Sequence, residues 1–202
     1  MKKYFVTLFF LSVLLATSSL ALATPAFNFT TAGNNFTNDS WEFGIDFTVN
    51  SPVTVDALEY YVGGGITQDH DVGLYNASGT LLASTTISIS SPVSGFWGVG
   101  NIASITLSPG TYQLVGVSGS DNYTWNDPGF NSNTNLTYLG DTYNSGTTLQ
   151  FQTPGFQGGV SDGIWGPNMD ITSSTSVPEP TSMLLLGLGL MGLAGVRRKF
   201  KK

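Results

Sequence analysis

Cysteine is absent from this 202-residue chain, and histidine occurs once, at His70. Without cysteine there is no disulfide and no thiolate to attack a substrate or bind a metal. One histidine is too little for a zinc site of three or four His, Cys or acidic ligands. A serine-type triad would have to use this same residue. We expect His70 to be a loop residue hydrogen-bonded to its neighbours, and we expect the protein not to be an enzyme.

Positive charge is missing from the middle of the chain. Lys2 and Lys3 stand at one end, and the other five basic residues all follow position 196. Between Thr24 and Ser176 there is no Lys or Arg, whereas 12 of the 13 acidic residues lie there, so this segment has a formal charge near −12. Because phosphate binding depends on cationic side chains, nucleic acid and anionic membrane are excluded as its partners. Cations and basic molecules remain candidates.

The first 23 residues have the three parts of a secretion signal. Lys2 and Lys3 form a positive start, and residues 4–15 are almost entirely apolar. Ala21 and Ala23 supply the small-x-small pattern that signal peptidase accepts. We expect export through the Sec translocon and cleavage by signal peptidase after Ala23. The alternative is an uncleaved membrane anchor.

The C-terminal end has a similar order of parts. A Ser/Thr linker at 172–176 precedes a proline-containing motif at 177–180, an apolar segment at 181–196 and a basic end at 197–202. As a helix, the fourteen apolar residues at 183–196 would span about 21 Å, less than the ~30 Å hydrocarbon core of a bilayer. Basic residues stay on the cytoplasmic side, so we expect a stop-transfer segment that anchors the precursor in the inner membrane. The basic residues are Arg197, Arg198, Lys199, Lys201 and Lys202.

This tail resembles a known sorting signal. Val177, Pro178, Glu179 and Pro180, followed by a Gly/Leu-rich apolar run and an Arg-Arg-Lys cluster, are similar to the PEP-CTERM signal. The resemblance implies recognition by exosortase, a membrane transpeptidase, and removal of the tail, with the mature protein at the cell surface or outside the cell. It also implies a bacterium that makes exopolysaccharide. The tail is also known as an ice-binding-protein C-terminal motif, but the threonines of this chain show no repeat period typical of an ice-binding solenoid.

Residues 24–171 have the pattern of one β domain. Apolar residues alternate with polar or acidic ones from Trp41 to Val49, which predicts a strand with one core face and one acidic face. A change of phase near Ala57 predicts a β-bulge. The turn at 108–110 predicts a hairpin between the strands on either side of it.

Weaker strand signals lie at 136–139, 147–151 and 169–171. The domain shows no sustained helical periodicity, and its short strands are separated by Gly- and Pro-containing turns. This pattern predicts an all-β fold, a single antiparallel sandwich or jelly roll. We expect helix only in the signal segment and in the C-terminal apolar segment.

The middle of the chain also resembles a family. Residues 70–84, HDVGLYNASGTLLAS, are similar to the V-G-L-aromatic and G-T-L-L-A pattern of DUF4082-like exported bacterial domains. Residues 43–55 and 107–117 fit the same pattern, so the resemblance covers most of 36–120. It implies a β-sandwich and says little about activity.

Two groups of residues are candidates for ligand binding. Tyr123, Trp125 and Phe130 lie in a Gly/Asn/Asp-rich segment, where they could stack on sugar rings or cover an open end of the core. A second group consists of loop acids, since calcium takes oxygen ligands. These calcium candidates, which are otherwise solvated loop acids, are Asp69, Asp71, Asp121 and Asp127.

We therefore predict a noncatalytic surface or matrix protein associated with exopolysaccharide in a biofilm. One alternative is a secreted carbohydrate-active enzyme, because glycoside hydrolysis needs only two carboxylates. Glu42 and Asp46 share a strand face, yet their α-carbons would be about 13 Å apart. The other alternative is a calcium-dependent adhesion module.

Overall fold

The computed structural model of the protein describes residues 23–153 and 164–173. In these residues all regular secondary structure is β, which confirms the expected fold class. They hold no helix that is long and apolar enough to cross a membrane. The signal segment and the sorting tail lie outside the described residues. The strands are β1 Thr24–Pro25, β2 Phe27–Asn28, β3 Asn34–Phe36, β4 Trp41–Val49, β5 Val53–Tyr61, β6 His70–Asn76, β7 Leu81–Ile87, β8 Val93–Ser94, β9 Trp97–Leu107, β10 Gly110–Val117, β11 Tyr123–Trp125, β12 Asn131–Ser132, β13 Leu136–Ser145, β14 Ile164–Trp165 and β15 Pro167–Ser173.

Two antiparallel five-stranded sheets form a sandwich. Sheet A has the strand order β1-β15-β5-β9-β8, and sheet B has the order β13-β4-β10-β6-β7. Two small sheets accompany them, β14-β11-β3 and β12-β2. The core lies between sheets A and B, because both sheets turn one apolar face inward.

The strand predicted from Trp41 to Val49 is confirmed as β4. Ile45, Phe47 and Val49 are almost fully buried and belong to one core cluster with Leu114 of β10 and Leu74 of β6. Burying one such side chain is worth roughly 1.5–3 kcal/mol relative to leaving it in water. The apolar face of β4 therefore anchors the middle of sheet B.

The acidic face of β4 is covered by another segment of the chain. Glu42 has no exposed surface and Asp46 is 8% exposed, because residues 146–153, here called the strap, lie across the outer face of sheet B. Glu42 accepts hydrogen bonds from the Thr148 amide at 3.2 Å and from Gln150 Nε2 at 2.9 Å. Asp46 accepts one from Gln113 Nε2 at 2.8 Å.

The strand predicted at 147–151 is therefore wrong. These residues form no strand. Hydrogen bonds that involve side chains, and not a ladder of backbone hydrogen bonds, attach them to sheet B. Gln152 donates from Nε2 to the Glu42 carbonyl at 2.6 Å and accepts from Thr142 Oγ1 at 2.5 Å. The backbone N–H of Gln152 also donates to Gln113 Oε1 at 2.8 Å. The alternation that suggested a strand instead places polar side chains over sheet B.

The hairpin predicted at 108–110 is also wrong. The strands on either side of this turn lie in different sheets: β9 pairs with β5 in sheet A, and β10 pairs with β4 and β6 in sheet B. A tight turn with Pro109 fixes the local bend but not the sheet that receives the next strand. Here the apolar face of β10 completes the core between β4 and β6.

The β-bulge predicted near Ala57 is confirmed. The register of β5 against β9 shifts between Val55 and Ala57. Beyond this shift Leu58 and Tyr60 alternate with Glu59 and Tyr61, and all four side chains are buried. The strand signal at 169–171 is confirmed as part of β15, and that at 136–139 begins the longer β13.

Candidate functional site

An open polar cleft of about 540 Å³ lies at one end of the sandwich. It is formed mainly by the loop between β3 and β4, the loop before β6 and the loop after β10. The lining is rich in groups that form hydrogen bonds and contains three carboxylates. Its members include Asn38, Asp39, Gln68, Asp69, Asp71 and Ser120.

A buried ion pair holds two of these loops together. His70 lies at the start of β6 with no exposed surface. The prediction that it is a loop residue hydrogen-bonded to its sequence neighbours is therefore wrong. Its Nε2 is 3.0 Å from Asp121 Oδ2, and its Nδ1 is 2.9 Å from the Val117 carbonyl oxygen. The Val117 carbonyl oxygen can only accept, so Nδ1 donates to it, and Nε2 lies within ion-pair distance of the Asp121 carboxylate.

Asp121 is fully engaged on the other side of this pair. It accepts hydrogen bonds from the Thr67 hydroxyl at 2.6 Å, the Thr67 amide at 2.7 Å and the Gln68 amide at 3.2 Å. Burial alone would raise the pKa of Asp121, but these hydrogen bonds and the charge of His70 lower it below its usual value. The Tyr60 ring stacks on the imidazole at 4.3 Å. The ion pair thus fixes the loop that carries Gln68 and Asp69 into the cleft.

Aromatic rings outside the cleft lining are linked to it through the side-chain amide of Asn38. Asn38 Oδ1 accepts hydrogen bonds from Trp41 Nε1 at 2.8 Å and from the Tyr123 hydroxyl at 2.9 Å. The Trp41 ring meets Tyr143 edge to face at 5.7 Å, and Tyr143 is 38% exposed. On the other side of Asn38, Phe36 is 43% exposed and contacts the Tyr123 ring. We call Phe36, Trp41 and Tyr143 the aromatic border.

A family model described as a domain of unknown function, DUF4082, matches residues 29–159. The chain belongs to the DUF4082 family. A second family model, the PEP-CTERM protein-sorting motif, matches residues 176–199. The protein is therefore exported and is a substrate for exosortase sorting, with a membrane-anchoring tail before processing. Neither match is to a catalytic family, and no curated protein or solved structure matches the chain.

The DUF4082 domain brings together two of the three aromatic residues singled out in the sequence. Tyr123 and Trp125 lie 5.8 Å apart in β11, but Tyr123 is only 7% exposed and its ring rests on Phe43. Tyr123 therefore positions Asn38 through its hydroxyl hydrogen bond and offers little ring surface to a ligand. Phe130 is packed against the core, edge to face with Tyr138 at 5.2 Å.

The four calcium candidates are divided between different surroundings. Asp69 and Asp71 line the cleft, and Asp71 accepts a hydrogen bond from Thr86 at 2.7 Å. Asp121 is bound to His70, and Asp127 Oδ1 accepts from the Gly33 amide and the Thr124 hydroxyl. Within residues 23–153 and 164–173, no group of three or more His, Asp or Glu side chains is placed to hold a metal ion.

The sequence reasoning missed the aromatic border and Asn38. Trp41 was assigned to a strand face, and Phe36, Asn38 and Tyr143 were not among the candidate binding residues. Asn38 and Tyr123 are 85 positions apart, so no local spacing could join them. The signal that could have identified this site is the presence of large aromatic residues close to Asn and Asp in the sequence. That signal becomes informative only when the folded structure shows where the loops lie and which rings are exposed.

Proposed function

We propose that the protein is a noncatalytic surface or matrix protein whose DUF4082 domain binds exopolysaccharide in the polar cleft. The observation that carries the proposal is the aromatic border joined to the cleft through Asn38. Aromatic rings offer an apolar face to the apolar side of a sugar ring. The amide, hydroxyl and carboxylate groups of the lining match the many hydroxyl groups of a polysaccharide.

The polysaccharide that fits this cleft is neutral. Three carboxylates line it, Asp39, Asp69 and Asp71, and no Lys or Arg occurs between Thr24 and Ser176. A chain rich in uronate or sulfate would meet repulsion, with no cation to offset it. Hydroxyl groups of a neutral chain can donate to carboxylates without a charge penalty.

The engagement of the acidic side chains supports a noncatalytic role. Glu42 and Asp46, the pair considered for glycoside hydrolysis, are buried under the strap and bonded to its side chains or to Gln113. His70 is held by Asp121 and the Val117 carbonyl, away from solvent. A general acid or base needs to reach the proton that it transfers.

A calcium-dependent adhesion module is the second candidate function. Asp69 and Asp71 lie in the same cleft, and carboxylate oxygens are hard ligands suited to calcium. In this second candidate function a calcium ion would bridge these carboxylates and sugar hydroxyls. The site would be completed by oxygen atoms of the glycan.

One experiment separates these functions. The exported protein, purified from its native host, is incubated with the host's own exopolysaccharide, with calcium or with a chelator. Cosedimentation with unchanged chain length in both conditions supports the noncatalytic proposal. New reducing ends would identify an enzyme, and binding lost on chelation would identify the calcium-dependent module. The absence of any cosedimentation would overturn both binding functions.

A further inference from the structure

The orientation of the Asn38 side chain is fixed by its partners. Its Oδ1 lies 2.8 Å from Trp41 Nε1 and 2.9 Å from the Tyr123 hydroxyl oxygen. An indole N–H can only donate, so the Asn38 atom that faces it is the amide oxygen. The NH₂ group of the same amide is therefore turned away from both donors.

This NH₂ group is available to a ligand. Asn38 is exposed and lines the cleft, and among the described residues its amide nitrogen makes no hydrogen bond. The other side-chain amide of the lining is Gln68, whose Nε2 already donates to Ser120 Oγ at 3.2 Å. Asn38 therefore presents the unengaged amide donor of the cleft.

Carboxylates share the cleft with this donor. Asp39 is the next residue in the chain, and Asp69 and Asp71 lie near the start of β6. An ionised carboxylate only accepts, at two oxygens. One oxygen of Asp39 accepts from the Ser40 amide at 2.8 Å, which leaves its second oxygen available. A ligand group that matches this part of the cleft has an acceptor for Asn38 and a donor for a carboxylate.

Apolar surface lies directly beside the same amide. The Trp41 ring that donates to Asn38 is partly exposed, and Tyr143, which meets it edge to face, is 38% exposed. Exposed aromatic rings gain free energy when an apolar group of a ligand covers them. The matching ligand group therefore has a small apolar part next to its acceptor and its donor.

We propose that Asn38 determines the specificity of the cleft by selecting a polysaccharide that carries acetamido groups, an inference that rests on the proposed function. The acetamido carbonyl oxygen accepts from Asn38 Nδ2, its N–H donates to a carboxylate of the cleft, and its methyl group covers the ring of Trp41 or Tyr143. The acetamido group is uncharged, so the acidic lining does not repel it. A sugar hydroxyl meets the two polar requirements but has no apolar part for the rings.

Titration of the exported protein with two matched oligosaccharides tests this inference. The tetrasaccharides of chitin and cellulose are neutral chains with the same linkage, and they carry acetamido groups and hydroxyl groups, respectively, at the same ring position. We expect the chitin tetrasaccharide to bind at least about tenfold more tightly, because a site built to hydrogen-bond a group discriminates against the analogue that lacks it. Equal affinity for the two, or binding of neither, would overturn the inference. Binding of the host's exopolysaccharide in that case leaves the proposed function in place.

Asn38→Asp tests the role of the amide donor itself. The carboxylate still accepts from Trp41 and Tyr123, so both rings keep their partner, but it has no N–H to offer a ligand. We expect this variant to keep the thermal stability of wild type and to lose most of the preference for the chitin tetrasaccharide.

Asn35→Asp is the matched control for the added negative charge. Asn35 is exposed on β3, three residues before Asn38, and is not part of the cleft lining. This variant should keep the wild-type preference for the chitin tetrasaccharide. Equal loss of preference in both variants, or an unchanged preference in Asn38→Asp, would contradict the role of Asn38. If Asn38→Asp does not fold, the two affinities of the wild-type protein still decide whether the cleft selects acetamido groups.

Discussion

At the scale of single residues, Glu59 shows how burial changes an acid. Its side chain has no exposed surface, and neither carboxylate oxygen has a hydrogen-bond partner in the described structure. Burial, helped by the negative charge of Asp170, raises the pKa of Glu59 to about 8. The carboxyl group is thus protonated in the folded protein at neutral pH.

This pKa predicts a pH-dependent loss of stability. In the unfolded chain Glu59 releases its proton near its ordinary pKa of 4.5, whereas the folded protein keeps it to about pH 8. Since the folded state binds more protons in this window, the free energy of unfolding falls as pH rises, by at most about 1.4 kcal/mol per pH unit. In denaturation at several pH values, Glu59→Gln should be less sensitive to pH between 5 and 8. An unchanged pH profile would contradict the assignment.

Residue-scale function was only partly accessible from sequence. Asp69 and Asp71 were singled out and do line the cleft. His70 and Asp121 are 51 positions apart, and their pairing depends on loops whose course only the folded sandwich defines. Phe130 had the same local composition as Trp125, yet packing against Tyr138 places it at the core. Local composition therefore identified candidates without separating buried rings from exposed ones.

At the scale of elements, strands with strict alternation were predicted correctly, and connections were not. β4 and the bulge in β5 follow from side-chain periodicity, which is a local property. The partner of β10 and the course of the strap depend on contacts between distant residues. Gln152, for instance, contacts Gln113 and Glu42, which precede it by 39 and 110 positions.

The strap leads to a prediction about stability. Gln152→Ala should lower the free energy of unfolding by about 1–3 kcal/mol, because it leaves the buried Glu42 carbonyl and Thr142 hydroxyl without their partner. Chemical denaturation measures the change, and hydrogen–deuterium exchange should show faster exchange in 146–153. Thr147→Ala is the control, since Thr147 is exposed in the same segment. Equal stability of Gln152→Ala and wild type would show that the strap does not depend on this glutamine.

At the scale of the whole molecule, the sorting tail was readable because its three parts are consecutive in the chain. Mass spectrometry of protein from the native host should give an N-terminus at Thr24, as the Ala21 and Ala23 pattern predicts. The same spectra should lack everything after about Pro180. Extracellular protein that retains Arg197 to Lys202 would contradict exosortase processing.

The proposed function requires the exported domain to bind a neutral polysaccharide through the aromatic border. The most direct test is the affinity of the exported protein for the host's neutral exopolysaccharide, measured by titration for wild type and variants. Tyr143→Ala and Phe36→Ala should remain folded and bind at least several-fold more weakly, because aromatic anchors carry much of an interface's binding energy. Leu139→Ala removes a similarly exposed apolar side chain on β13 that is not part of the aromatic border, and this variant should bind as wild type. Unchanged affinity in both aromatic variants would contradict the claim.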